Sequence, residues 1–117
     1  MILVLGGTSD SLEICDRINR YEDLSYTLSV TTSYGEDLAR RHAKNVITGK
    51  LTKEDMVRFI EKNNINKIID ATHPYAIEVS KNAIQCAKEL NIDYLRYERK
   101  SLIEDISYEN KYIVSSI

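Results

Sequence analysis

Two short stretches place chemistry-bearing residues directly after apolar runs: "GGTSDS", residues 6–11, and "DATHPYA", residues 70–76. In the first, Gly6 and Gly7 lack a Cβ, so the backbone can turn sharply and approach a phosphate while the amides of a following helix point at its charge. Thr8 and Ser9 add hydroxyl donors. In the second, His73 carries an imidazole ring that can contact a ligand or pass a proton. Each stretch also has a plain structural account. A tight turn with a Ser or Asp cap explains "GGTSDS", and Thr72 or His73 at an N-cap with Pro74 at the first helical position explains "DATHPYA". Both accounts stay open for His73.

Several chemistries are excluded by spacing. The match to G-x-G-x-x-G is poor, since Thr8 and Ser11 stand at the second and third glycine positions, and the Gly-Lys-Ser/Thr of a P-loop is missing. Asp70 ends a strand-like run as a phosphoacceptor aspartate does, but Gly6 and Gly7 occupy the place where that chemistry needs acidic metal ligands. The "GGT" start is similar to that of extended short-chain dehydrogenases, yet no tyrosine here is followed by lysine four positions on. No metal site is expected: Cys15 and Cys86 are far apart, and His42, the other histidine, has no acid pattern around it. The cysteines read as reduced, buried thiols of a cytoplasmic protein. Tyr94 and Tyr97 alternate along a strand-like run, which packing explains. "ERK", residues 98–100, is a solvated strand end or the edge of an anion pocket.

The elements that must position these residues alternate. "ILVL" from Ile2 is a continuous apolar run suited to a strand covered on both faces, and Leu12, Cys15 and Ile18 follow at helical spacing. "YTLSVTT" is a second strand, "YGEDLARRHA" a short polar helix, and residues 45–47 a brief third strand. Thr52, three residues before Asp55, opens a helix with Met56, Val57 and Ile60 on its apolar side. Residues 67–71 form a fourth strand, the helix after it carries Ala76, Val79, Ala83, Ala87 and Leu90 inward, and "DYLRYE" is a fifth strand. This alternation predicts a doubly wound, Rossmann-like α/β fold, a parallel sheet with helices on both faces. "KYIVSSI" looks like a sixth strand with no helix after it.

The 117 residues fit one domain, with 43% hydrophobic and 29% charged residues and a formal charge of -2. Nothing in that balance calls for nucleic acid or an anionic membrane as partner, and "MILVLGG" has neither the length of a membrane span nor the basic start of an export signal.

Taken together, "ILVLGGTSDSLEI", "SVTTSYGEDLA", "GKL", "IIDATHPYAIEVSKNA" and "YLRYERK" resemble, in order and spacing, the precorrin-6A reductases of corrin biosynthesis. The resemblance runs to about Lys100. It implies NADH- or NADPH-dependent reduction of one double bond of a contracted tetrapyrrole macrocycle, metal-free or cobalt-bearing. By position it implies Gly6, Gly7, Thr8 and Ser9 as the diphosphate loop and Thr32, Ser33, Tyr34 and Gly35 as the adenosine-ribose side. Gly49 then matches a close backbone approach, and Asp70, Ala71, Thr72, His73, Pro74 and Tyr75 line the crevice near nicotinamide and macrocycle. No residue identifies itself as the proton donor, with His73 the candidate. The acidic Glu36 after Gly35 leans the coenzyme choice to NADH. The resemblance further implies a second α/β domain beyond this point, so residues 1–100 are expected to be the nucleotide-binding domain and 101–117 the start of a sixth βα unit or a linker. A chain limited to that half would carry an incomplete substrate site. The competing reading is a non-catalytic nucleotide-binding module of the same fold.

Overall fold

A computed structural model of the chain describes residues 1–97; the expectations for 98–100 and for 101–117, the sixth strand included, fall outside them. Five strands alternate with four helices: β1 (Ile2–Leu5), α1 (Ser9–Ile18), β2 (Tyr26–Val30), α2 (Ser33–Ala39), β3 (Val46–Thr48), α3 (Lys53–Lys62), β4 (Lys67–Asp70), α4 (Ile77–Leu90) and β5 (Asp93–Arg96). The sheet is parallel throughout, in the order β3-β2-β1-β4-β5. The order reverses between β1 and β4, the place where open α/β sheets receive ligands.

Each strand face has its own core, which is why the strands read as continuous apolar runs. Val4, Leu28, Val30 and Ile69 pack with Cys15, Ile18 and Ala39 of α1 and α2. Leu3, Leu5 and Ile68 pack on the other side with Met56, Ile60, Ala83 and Cys86 of α3 and α4. Leu3, Leu5, Leu28, Ile68 and Met56 are shielded from water almost entirely, each worth about 1.5–3 kcal/mol of burial.

Local chemistry sets the helix starts. Thr8 caps α1 by accepting from the Ser11 amide at 3.1 Å, and Thr52 caps α3 by accepting from the Asp55 amide at 3.1 Å, while the Asp55 carboxylate accepts from the Thr52 amide. α4 departs from expectation. Neither Thr72 nor His73 is its N-cap, and Pro74 is not its first residue. The helix starts three residues later, at Ile77, behind an Ala76 that offers no side-chain cap. Residues 73–76 instead form a turn closed by the Ala76 amide on the His73 carbonyl at 2.8 Å, with Pro74 in its second position, where a fixed φ is equally suited. Strand bounds also move: the second ends at Val30, the third lies at Val46–Thr48, one residue later than the pattern suggested, the fourth ends at Asp70 and the fifth at Arg96.

Candidate functional site

The register places the carboxyl ends of the strands in one row, with Leu5 beside Ser29 on one flank and Asp70 on the other, and Asp70 beside Arg96. Beyond that row a crevice of about 190 Å³ is walled by Gly6, Gly7 and Gly49 on one side and by Thr72, His73, Ala76 and Val79 on the other. It adjoins a wider cleft of about 570 Å³ that shares Thr31, Leu51, Ala76 and Val79 and is rimmed by Lys50, Tyr75 and Ile77. Sequence reasoning named the glycines, Thr72 and His73, and missed Thr31, Leu51, Ala76 and Val79. Those are ordinary core-type residues whose exposure at a strand end depends on the strand order.

The two glycines after β1 have different causes. A Cβ on Gly6 would lie 2.6 Å from Leu28 Cδ1 and 2.9 Å from Ser11 Oγ, so packing between α1 and β2 requires glycine there. Gly7 has φ +102° with open space where a side chain would go. Its backbone conformation requires glycine, and the space over it is accessible to a ligand. Gly49, at φ +124°, is of the same kind.

Thr8 serves the fold first. Its hydroxyl donates to the Ala71 carbonyl at 2.7 Å while accepting from Ser11, so the expected donor to a ligand is already committed. Ser9, exposed, is the first residue of α1. Thr32 caps α2 by accepting from the Gly35 amide at 3.0 Å, and Ser33, Tyr34 and Gly35 form the first turn of that helix beside Thr31 rather than in the crevice wall. Glu36 is held by Arg40, whose Nε and Nη2 donate to one carboxylate oxygen at 2.9 and 2.6 Å. Hydrogen bonds from Arg40 and Thr48 hold the Glu36 carboxyl below its ordinary range.

Asp70 and Ala71 do not line the crevice: they are 0% and 2% exposed. The Asp70 carboxylate lies beneath it and accepts five hydrogen bonds from the described residues. Oδ1 takes the Thr72 amide at 3.1 Å, the Thr72 hydroxyl at 2.7 Å and Arg96 Nη1 at 2.9 Å. Oδ2 takes Ser80 Oγ and the Tyr94 hydroxyl, each at 2.6 Å. Burial pushes this carboxyl up, but the donors from Ser80, Thr72 and Tyr94 outweigh it and hold it below its ordinary value. Tyr94 is therefore more than strand packing; burial and its bond to Asp70 raise its phenol well above the usual range. Thr72, committed to Asp70, is unavailable as a helix cap.

His73 is exposed, its ring 4.9 Å from that of Tyr75. Its Nδ1 accepts from the Tyr75 amide at 3.2 Å, which leaves the proton of the neutral ring on Nε2. Pro74 is exposed in the turn. His42, for which the sequence offered no acidic neighbour, contacts Asp16 at 3.0 Å. Among the described residues no three His, Cys, Asp or Glu side chains cluster as a metal site, and no helix is long and apolar enough to cross a membrane.

The family model described as precorrin-6x reductase CbiJ/CobK matches residues 1–117. The chain belongs to this family. Among its curated relatives, a cobalt-precorrin-6A reductase from Methanocaldococcus jannaschii is 46% identical over 93% of the chain, and one from Priestia megaterium is 43% identical over 99%. The chain spans 43% and 44% of the length of these two relatives. A solved CobK precorrin-6A reductase superposes with a TM-score of 0.71 at 22% identity, over 85% of this chain and 37% of that one. A saccharopine dehydrogenase from Saccharomyces cerevisiae superposes with a TM-score of 0.67 at 16% identity, over 86% of this chain and 22% of that one. These likenesses show the Rossmann-like fold, and the family match carries the kinship to the reductases.

Proposed function

We propose that the chain is the dinucleotide-binding part of an NADH- or NADPH-dependent reductase that acts on precorrin-6A or its cobalt form in corrin biosynthesis. The observation that carries the reading is the meeting of the glycine turn after β1 with the Thr72–His73 turn after β4 across one crevice, in a chain of this family. The residues fit a dinucleotide: Gly7 leaves its Cβ space open at the start of a ten-residue helix, and backbone amides of a helix N-terminus favour a diphosphate. Gly6, Gly7 and Gly49 of the crevice wall would hold the diphosphate with Ser9 at the start of α1, Thr31 of the wall and the adjoining Thr32 to Gly35 outside it would serve the ribose side, and Leu51, Ala76 and Val79 would hold an apolar ring. A bound nicotinamide supplies hydride. The chain's own part is orientation, together with the Nε2 proton that the Nδ1 bond to the Tyr75 amide leaves on a neutral His73 ring. The substrate is a tetrapyrrole; no nucleic acid or membrane enters the reading, and two free, buried thiols support a reducing, cytoplasmic setting.

Calorimetric titration of the 117-residue chain with NADH and NADPH tests the reading. Weak binding is expected, lost in Gly7→Val, with a thermal melt beside it because φ +102° strains any side chain. Turnover of corrinoid substrate is expected from a full-length relative and not from this chain, since orientation supplies about 7–11 kcal/mol of such a barrier and a partial site cannot hold both reactants. Binding of neither nucleotide by the wild-type chain removes the proposal. Nucleotide binding by this chain, with no turnover when it replaces the matching part of a full-length relative, favours the non-catalytic module.

A further inference from the structure

We propose that Asp70 is a positioning residue for the crevice: through Thr72 it holds the turn that carries His73, and through Tyr94 and Arg96 it ties that turn to β5. The donors to its two oxygens come from three elements, the turn (Thr72), α4 (Ser80) and β5 (Tyr94 and Arg96). Arg96 Nη1 also donates to the Thr72 hydroxyl at 3.0 Å, so that hydroxyl both accepts and donates within the cluster.

The turn depends on this cluster. Among the described residues, the turn's hydrogen bonds to other elements past Ala71 run through Thr72, apart from the first bond of α4 itself. The remaining bonds, Ala76 amide to His73 carbonyl and Tyr75 amide to His73 Nδ1, are internal and cannot orient the turn against the sheet. Ala76 supplies no cap that would fix the start of α4. Stability alone does not call for the arrangement either, because a buried ion pair is on average no better than well-packed apolar residues. What the carboxylate adds is direction: several fixed donors meet one planar acceptor, so the Thr72 backbone has one place to be.

The effect on nucleotide rests on the reading above, whereas the effect on the turn does not. Backbone ¹⁵N relaxation of residues 72–76 and the His73 ring ¹⁵N shifts are recorded in the 117-residue chain for wild type, Tyr94→Phe, Ser80→Ala, Ser80→Thr and Asp70→Asn. Each is measured free and with added NADH or NADPH, beside thermal melts. Tyr94→Phe and Ser80→Ala are expected to stay folded and to melt roughly 5–15 °C below wild type, since each removes one donor from a buried carboxylate. Their turn amides and His73 ring shift, order parameters in the turn fall toward about 0.6, and nucleotide affinity drops about threefold to tenfold. Ser80→Thr, which keeps the hydroxyl, restores the wild-type spectrum. Lower melting with the turn and His73 unchanged makes Asp70 a stabilising residue only and overturns the proposal. If wild type binds neither nucleotide, the dinucleotide reading falls while the spectra still decide the positioning role. If Asp70→Asn does not fold, the single-hydroxyl variants decide it.

Discussion

The Thr8 hydroxyl donates to the Ala71 carbonyl at 2.7 Å, joining the turn after β1 to the end of β4 across 63 residues of sequence. The same oxygen accepts the Ser11 amide. Thr8→Val keeps the shape and removes the hydroxyl, leaving a part-buried carbonyl and a helix amide without partners. The expected loss is about 1–3 kcal/mol in urea unfolding, with Thr8→Ser close to wild type. Equal stability of the valine variant would show that the two turns are held together by the sheet alone.

Gly6 and Gly7 are neighbours with different requirements, and a double-mutant cycle separates them. Gly6→Ala drives its Cβ against Leu28 Cδ1, so Leu28→Val, which removes that atom, should recover part of the damage. A coupling of about 0.5–2 kcal/mol is expected for Gly6 with Leu28, and additivity for Gly7 with Leu28, because Gly7→Ala meets no atom and suffers only its φ. Coupling at Gly7 in the same unfolding measurements would contradict this division.

Much of this is legible in the amino-acid sequence. "ILVL" followed by "GG" reads as a buried strand and a turn because both faces of β1 are covered, and Thr52 with Asp55 announces α3 because capping is local. The start of α4 is not legible there, for the converse reason. Pro74 suits a turn as well as a first helical position, and what decides between them is the claim of Asp70 on Thr72. That claim depends on Tyr94 and Arg96, which meet Asp70 only once β5 is paired with β4 in this register. The hydroxyl of a half-buried tyrosine is silent in a strand pattern, so Tyr94 looked like packing.

Asp70 also gives the fold an acid limb. Its carboxyl is held below its ordinary value in the folded chain, so it contributes stability that is complete above the unfolded value and is lost as pH falls through the folded one. Urea midpoints are therefore expected to be flat near neutrality and to fall below about pH 4. Asp70→Asn should start less stable and lose less over that range. Asp55, whose carboxyl is also held low by Arg58 and Thr52 but is exposed to water, should leave the limb nearly unchanged when replaced by Asn. A limb of unaltered steepness in Asp70→Asn would assign it to other carboxylates.

If the chain binds a nicotinamide nucleotide as proposed, coenzyme choice is expected to turn on Glu36. An acid in the first turn of α2, beside Thr32 and Ser33, opposes the 2'-phosphate that distinguishes NADPH, which favours NADH. The structure weakens that lean, because Arg40 donates two hydrogen bonds to the Glu36 carboxylate and offsets its charge. Salt screening at this exposed position reduces it further. The expected preference for NADH is therefore modest, about threefold rather than tenfold, and it should shrink as Arg40 is retained and Glu36 removed. Glu36→Gln should bring the two affinities level, and Glu36→Arg, which places two cations together, should reverse their order. Titration of each variant with both nucleotides at low and physiological salt reads the ratio directly. A wild-type preference for NADPH, or a ratio that Glu36→Arg leaves unmoved, would remove Glu36 from the choice and leave it to the hydroxyls of Thr32 and Ser33.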